Sequence, residues 1–109
     1  MRRHQLVHSS EESNTFLIEW EVGSGLDFHD HGNSAASIVI LTGRLHEYRE
    51  ASGAEPNGAS ETLYPGPLYT RPKTTTHRVE NPFDEPAVSI HTYYPPLTIE
   101  YGPELELEL

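Results

Sequence analysis

The chain has 109 residues, a formal net charge of −10 and no cysteine, and we expect residues 1–109 to form a single domain with one core. The negative charge disfavours nucleic acid as a partner because it repels phosphate, and the lack of cysteine excludes disulfides and thiolate metal ligands. No apolar run is long enough for a membrane span and no leader-like segment begins the chain, so we expect no membrane contact. The lack of cysteine fits a reducing cytosol, and we expect a cytoplasmic protein.

The predicted elements are short strands joined by turns. Segments with the β-branched, aromatic or apolar content of strands end at turn-forming residues; they are 16–22, 37–41, 44–49, 61–64, 78–80 and 87–93. The run 37–41 is apolar enough to predict a strand buried on both faces, whereas 50–58 has the composition of a loop. No segment has a sustained period of 3.6 residues, so the sequence predicts an all-β barrel or sandwich.

The C-terminal residues 104–109 alternate glutamate and leucine. A period of two predicts a strand. A paired edge strand, a contact in a homodimer and a frayed tail are the alternatives, and a paired strand is slightly favoured. We expect no chemistry from this tail.

Three of the seven histidines lie at patterned positions. His29 and His31 flank Asp30, and on a strand both imidazoles would lie on the same face. His77 begins another predicted strand. Because the inward faces of neighbouring strands converge in a closed barrel, these three residues could bind one divalent ion. A lone His-x-His pair is weak support, and imidazole suits Fe, Zn, Ni and Cu alike.

The spacing of glycines around these histidines is more specific. The first motif of the cupin superfamily is resembled by the pattern Gly23-x5-His29-x-His31, with Gly43 further on. The second motif is resembled by Gly66-x5-Pro72-x-Thr74-x2-His77-x3-Asn81, with threonine where glycine is usual. The resemblance implies a small cupin barrel, a double-stranded β-helix or jelly roll, with a metal-binding core at about 16–97 and a C-terminal extension at 98–109.

Within this superfamily the sequence resembles the cysteine dioxygenase family of thiol dioxygenases. The first half of the family pattern is resembled by Trp20 and residues 29–34 and 41–45. The second half is resembled by residues 77–81 and 85–96. In that family, three histidines bind ferrous iron and both atoms of dioxygen are added to a thiol sulfur, which gives a sulfinate. The resemblance implies iron as cofactor at His29, His31 and His77, with Zn, Ni or Mn as other divalent metals that such a site could take.

Ser89, His91 and Tyr93 stand at positions i, i+2 and i+4 of one predicted strand, so their side chains share a face. The resemblance implies that Ser89 orients His91, which supports the Tyr93 hydroxyl near the iron, where it can hydrogen-bond the substrate or an oxygen intermediate. The alternative is a polar strand face packed against a loop.

Position 36 departs from related patterns. Many cupins have a glutamate ligand there, and some thiol dioxygenases have a cysteine that crosslinks to the tyrosine matching Tyr93; this chain has Ala36. The resemblance therefore implies a site of three neutral imidazoles and no crosslink.

The resemblance also implies an arginine, or in some relatives a glutamine, near the N-terminus that binds a substrate carboxylate. Arg3 lies close to the expected place, and a guanidinium can bind a carboxylate through two hydrogen bonds. Gln5 is a competing alignment, and a solvated terminal charge is the alternative for Arg3. Arg71, near the metal motif, is a reserve candidate for an anion contact.

These observations predict a non-haem Fe(II) thiol dioxygenase-like enzyme that uses O2 to oxidise a small carboxylated thiol, such as cysteine or 3-mercaptopropionate, to a sulfinate. Two alternatives keep the fold. A cupin metalloenzyme could carry out a different oxidation, an isomerisation or a lyase reaction. A non-catalytic cupin module could bind a metal or small ligand.

Overall fold

A computed structural model describes residues 2–97, which form eight strands and no helix. The strands are β1 (Arg2–Ser9), β2 (Asn14–Trp20), β3 (Ala35–Thr42), β4 (Leu45–Arg49), β5 (Ala59–Leu63), β6 (Leu68–Arg71), β7 (His77–Glu80) and β8 (Ala87–Tyr94). Within this range no helix is long and apolar enough to cross a membrane. The all-β prediction is confirmed. The strand predicted at 104–109 lies outside the described residues.

The strands form two antiparallel sheets. The larger sheet has the order β1-β2-β8-β3-β6 and the smaller has the order β5-β4-β7. Alternate side chains of both sheets point into one core, which contains Phe16, Ile18, Trp20, Ala36, Ile38, Ile40, Leu45, Leu63, Val79, Ala87 and Tyr93. Burial of this apolar surface is the main source of stability of such a fold.

All six predicted strands are present, with ends within two residues of the prediction. β1 and β6 were not predicted, and both lie at the edges of the larger sheet. β1 has the sequence RRHQLVHS, and most of its side chains are exposed. Backbone pairing with a neighbouring strand defines such edges, so their sequences need no apolar alternation.

The prediction that β3 is buried on both faces is wrong. Ala36, Ile38 and Ile40 are buried, but Leu41 is 47% exposed. Only the inward face of this sheet contacts the opposite sheet, so the outward side chains of β3 keep partial contact with solvent.

The register of the larger sheet places four residues side by side near one end of the core. Asn14 pairs with Tyr93, Tyr93 with Ala36, and Ala36 with Arg71. Residues that are directly opposite in antiparallel strands point to the same face. This row therefore brings an amide, a phenol, a methyl group and a guanidinium to the inward face, level with one another.

Candidate metal centre

His77 and His29 are held side by side by the backbone. His77 begins β7, and its N–H and C=O form hydrogen bonds of 3.0 and 2.9 Å with the C=O and N–H of His29. The pairing extends the smaller sheet by one bridge, so both imidazoles start from the same sheet edge.

His31 lies in a turn rather than in a strand, which corrects the prediction of a His-x-His strand. The Ser34 N–H donates to the His31 C=O at 3.1 Å, and the Gly32 N–H donates to Oδ1 of Asp30 at 3.0 Å. Gly32 has a φ of +63°, which glycine adopts without steric cost. Because these local hydrogen bonds compete with strand pairing, the turn, and not strand alternation, aims the His31 ring.

The three imidazoles form a compact cluster. The ring centroids are 4.9–5.0 Å apart, and one ligand atom from each of His29, His31 and His77 lies within 4.8 Å of the others. All three residues are buried, and the Nε2 atoms of His31 and His77 have no hydrogen-bond partner among the described residues. Buried polar atoms normally have a partner, and imidazole nitrogens are common ligands of Fe, Zn and Ni. The residues present therefore fit a divalent metal ion.

In two of these rings, the other nitrogen, Nδ1, already forms a hydrogen bond. Nδ1 of His29 lies 2.8 Å from the Asp27 carbonyl oxygen, and Nδ1 of His77 lies 2.7 Å from Oε2 of Glu47. Both oxygens are acceptors, so Nδ1 of each ring carries a proton, and in the neutral ring the lone pair is then on Nε2. Histidine ligands in metalloproteins are oriented in this way.

The protonation state of His31 also fits metal binding. Burial, followed by the nearby charges of His77 and His29, lowers the pKa of His31 to about 3. At neutral pH this imidazole is therefore uncharged, which is the form that coordinates metal ions.

A chain of hydrogen bonds runs beside the cluster from Trp20 to Tyr93. The Trp20 indole N–H donates to Oγ of Ser89 at 2.9 Å, Ser89 Oγ lies 2.9 Å from Nε2 of His91, and Nδ1 of His91 lies 3.3 Å from the Tyr93 hydroxyl. An indole N–H can only donate. When the Ser89 hydroxyl in turn donates to Nε2, Nδ1 of His91 carries the proton and donates to the Tyr93 oxygen, so the phenol O–H can point elsewhere.

Burial sets the charge state of the side chains in this series of hydrogen bonds. It lowers the pKa of His91 to about 3, with smaller contributions from the charges of His77 and His31. Burial also raises the pKa of Tyr93 well above its usual range, and the charge of Arg2 offsets a small part of this rise. At neutral pH a neutral imidazole therefore supports a protonated phenol, whose ring centroid lies 4.9 Å from that of His31.

Behind His77 lies a group of acids and arginines in which Glu47 is fully buried and the Glu61 side chain is 40% exposed. Glu47 accepts hydrogen bonds from His77, Arg49 and Arg71. Glu61 accepts from the same two arginines at 2.6 and 2.7 Å. Burial alone would raise the pKa of Glu47, but the hydrogen bonds from His77 and Arg71 outweigh it and lower the pKa below its usual range.

With this geometry in place, comparison with known proteins identifies the family. Residues 2–100 match the family model described as cysteine dioxygenase type I. The chain belongs to this family. It is similar to cysteine dioxygenase type 1 of Danio rerio, with 35% identity over 86% of this chain and 51% of the relative. The chain thus spans about half the length of the curated relatives that it matches.

Solved structures confirm the cupin fold of this cysteine dioxygenase family member. The protein TT1209 from Thermus thermophilus is similar with a TM-score of 0.74, 21% identity and coverage of 87% of this chain and 84% of that one. The Schizosaccharomyces pombe Cnp3 cupin domain has a TM-score of 0.73, 13% identity and coverage of 85% and 60%. At this level of identity the likeness concerns the fold alone.

The structure does not bring Arg3 to the histidine cluster of this cysteine dioxygenase family member. Arg3 pairs in register with Glu19, and their side chains form an exposed ion pair of 2.8 Å. Gln5 is likewise exposed. Side chains alternate along a strand, so the inward position next to Arg3 belongs to Arg2, whose Cζ lies 5.8 Å from the Trp20 ring centroid and whose Nη1 is buried.

The other expected residues lie where the sequence indicated, but some contacts were missed. Ser89, His91 and Tyr93 share the inward face of β8 as predicted. Arg71, the reserve anion contact, is engaged by Glu47 and Glu61. The buried role of Glu47 was not predicted; its only signal was a charged residue two positions after Leu45, on the apolar face of a predicted strand.

Proposed function

We propose that this member of the cysteine dioxygenase family is an iron-dependent thiol dioxygenase that acts on a small carboxylated thiol. The observation that carries the proposal is the cluster of His29, His31 and His77, three buried imidazoles with ligand atoms within 4.8 Å of one another. The hydrogen-bonded Tyr93 beside this cluster supports an oxidation. The overall change is the addition of both atoms of O2 to a thiolate sulfur, which gives a sulfinate with the same charge.

Ferrous iron is the proposed cofactor, with His29, His31 and His77 as its ligands. When bound, it would supply the Lewis acidity for a thiolate and the redox chemistry for dioxygen. Three neutral ligands leave the charge of a divalent ion uncompensated within the ligand set, and this favours an anionic partner such as a thiolate. The neutral state of His31, which burial maintains, supports this assignment.

Tyr93 is proposed to donate a hydrogen bond to the substrate. Burial keeps its phenol protonated, and the contact with Nδ1 of His91 fixes its oxygen. Ser89 and Trp20 hold His91 in turn. A donor that is already oriented loses little conformational freedom when the substrate binds.

We infer that Arg2, rather than Arg3, binds the substrate carboxylate. Arg2 lies on the same face of β1 as the core, opposite Trp20, and its charge acts on both His91 and Tyr93. Arg3 is on the opposite face with Glu19. A guanidinium that is partly removed from water binds a carboxylate more strongly than an exposed one does.

Oxygen consumption by the iron-loaded protein tests the proposed function. We expect uptake with cysteine or 3-mercaptopropionate and less with cysteamine, which has no carboxylate. With isotopically labelled O2, mass spectrometry should find both labelled atoms in a sulfinate product. A protein that binds one iron per chain but consumes no oxygen with any of these thiols would contradict the proposal and favour a non-catalytic binding module.

A second outcome points to different chemistry. Oxygen uptake in which the sulfinate product contains fewer than two labelled atoms, or turnover of a substrate without oxygen uptake, would reject the dioxygenase reaction and keep the metal site. His31→Ala serves as the control in each assay, because it removes one proposed ligand whose ring has no hydrogen bond to Glu47.

A further inference from the structure

Glu47 is a charged residue in a place where charge is unfavourable. It lies on the inward face of β4, at the centre of the smaller sheet, and its exposed fraction is 0%. Leu45 on the same face is also fully buried. Burying a carboxylate is costly unless partners compensate for the loss of water, so the contacts of Glu47 indicate what it does.

The contact that matters for the metal centre is with His77. Oε2 of Glu47 lies 2.7 Å from Nδ1 of His77, and both side chains are buried. An ionised carboxylate can only accept, so the proton of this hydrogen bond belongs to Nδ1. In the neutral ring the lone pair is then on Nε2, which is buried and has no hydrogen-bond partner among residues 2–97.

Two arginines hold the carboxylate in this orientation. Nε and Nη2 of Arg71 donate to Glu47 at 3.0 and 2.6 Å, and Nη1 of Arg49 donates to its Oε1. Arg71 belongs to β6 of the larger sheet and pairs in register with Ala36. The carboxylate is therefore fixed from both sheets, and it cannot turn away from His77 without losing these hydrogen bonds.

The contacts of Glu47 could also serve only to join the two sheets. Comparison with Glu61 distinguishes this structural role from a role in positioning His77. Glu61 hydrogen-bonds Arg49 and Arg71 at 2.6 and 2.7 Å, so it takes part in the same ion-pair group. Its side-chain hydrogen bonds among the described residues go to the arginines, whereas those of Glu47 also include His77. The Glu61 side chain is 40% exposed, whereas Glu47 is fully buried, so a role limited to joining the sheets predicts a larger loss of stability for a change at Glu47 but no change in metal affinity at either position.

We propose that Glu47 is a positioning residue of the metal centre: it holds His77 in the Nδ1-protonated form, with Nε2 toward the ion, and places a negative charge one hydrogen bond from the ligand set. This inference rests on the metal site of the proposed function. Position 36 is alanine, so the centre has no carboxylate ligand there, and Glu47 supplies a carboxylate that acts through an imidazole. Such partners raise the basicity of a histidine ligand and fix its ring.

The test compares Glu47→Gln with Glu61→Gln in the full chain. We expect E47Q to raise the dissociation constant for Fe(II) and Zn(II) about 10- to 100-fold, and E61Q to stay within about twofold of the unchanged protein. The reduction potential of the iron-loaded protein should shift to more positive values in E47Q, because a negative charge near the ion stabilises Fe(III) over Fe(II). Loss of an ion pair that only joins the sheets would lower the melting temperature without this shift.

The results that overturn the proposal are specific. Equal affinity and potential in E47Q and the unchanged protein would reject it, and so would equal changes in E47Q and E61Q. If E47Q does not fold, Glu47→Asp replaces it: the shorter side chain keeps its charge for the arginines but draws back from Nδ1, so weaker metal binding is expected and unchanged binding would reject the role.

These measurements distinguish this proposal from the proposed function. Metal affinity and potential are measured without thiol. An unchanged protein that binds iron but oxidises no thiol would contradict only the dioxygenase reaction, whereas unaltered metal binding in E47Q would contradict only the role of Glu47. Failure of the unchanged protein to bind either metal would overturn both.

Discussion

The buried polar residues near the three histidines have protonation states that follow from their surroundings. Burial keeps His31 and His91 neutral by lowering each pKa to about 3, and it keeps the Tyr93 phenol protonated by raising its pKa. Hydrogen bonds from His77 and Arg71 overcome the effect of burial and keep Glu47 ionised. At neutral pH the centre therefore combines the neutral imidazoles of His31 and His91 and the Tyr93 phenol with the Glu47 carboxylate.

Removal of the Tyr93 hydroxyl should affect catalysis more than stability. Tyr93→Phe keeps the buried ring but removes the group that Nδ1 of His91 contacts at 3.3 Å. We expect thiol oxidation to fall about 10- to 100-fold, the range that loss of a hydrogen bond to a charged group gives, while iron content stays the same. Tyr94→Phe is the matched control because Tyr94 is 41% exposed. Equal activity of both variants would contradict a role for Tyr93.

Arg2 and Arg3 are adjacent residues with opposite orientations, and they give a second test. Arg2→Gln should raise the KM for a carboxylated thiol about 10- to 100-fold, since a charge-assisted contact is lost, and should leave the KM for cysteamine unchanged. Arg3→Gln removes only an exposed ion pair with Glu19, so its KM values should match those of the unchanged protein. A larger effect of Arg3→Gln would place the carboxylate contact on the other face of β1.

At the scale of elements, the turn between β3 and β4 packs closely against the start of β8. Gly43 has a φ of +73°, and a Cβ atom added there would lie 2.6 Å from the Pro86 carbonyl oxygen and 2.9 Å from Cα of Ala87. Gly23 also has a positive φ, of +81°, but an added Cβ would meet no atom within 4 Å. A side chain at position 43 is therefore disfavoured by the backbone conformation and by close contacts. A side chain at position 23 is disfavoured by the backbone conformation alone.

This difference predicts an order of stability. Gly23→Ala should lower the free energy of unfolding by about 1–2 kcal/mol through backbone strain, and Gly43→Ala should lower it by about 1–3 kcal/mol more because rigid backbone must move. Gly53→Ala is the control, because Gly53 has neither a positive φ nor a neighbour for the added atom. Urea denaturation measures all three, and equal values for Gly43→Ala and Gly23→Ala would contradict the close contact.

At the scale of the whole molecule, the two sheets share one core in which ionisable groups are mixed with apolar ones. His91 is 1% exposed and Glu47 is 0% exposed, and both have pKa values below those of free side chains. Such groups bind fewer protons in the folded chain than in the unfolded chain as the solution becomes acidic. Proton uptake therefore favours unfolding.

The metal-free protein should consequently lose stability in acid. Between the ordinary histidine pKa of 6.5 and the folded value of about 3 for His91, the unfolded chain binds the additional proton, so the free energy of unfolding falls by up to about 1.4 kcal/mol per pH unit for each such histidine. Glu47 adds to the loss below pH 4.5. Urea denaturation at pH 7 and pH 5 measures this slope.

The control for the acid effect is His91→Gln, which removes one titrating group from the core. Its free energy of unfolding should depend less steeply on pH between 7 and 5, whatever its absolute stability. An unchanged slope would show that His91 is not a source of the acid sensitivity.

Much of this architecture could be predicted from the sequence because it depends on local patterns. The β-branched, aromatic or apolar content of 16–22 and 87–93 indicated strands, and the inward faces of β2 and β8 are buried. The positions of Ser89, His91 and Tyr93 on one face follow from the period of two alone. The edge strands β1 and β6 could not be predicted in this way, because backbone pairing with neighbours, and not an apolar face, holds them in place.

By itself, then, the sequence determined the all-β class, and its resemblance to two family motifs predicted that the three histidines meet. Only the tertiary structure decided that His31 is aimed by a turn, that Arg2 and not Arg3 faces inward, and that Glu47 lies behind His77. The physical reason is that strand periodicity is local, whereas register and contacts between sheets depend on residues distant in the chain. A shift of one residue in the pairing of β1 would exchange the faces of its arginines.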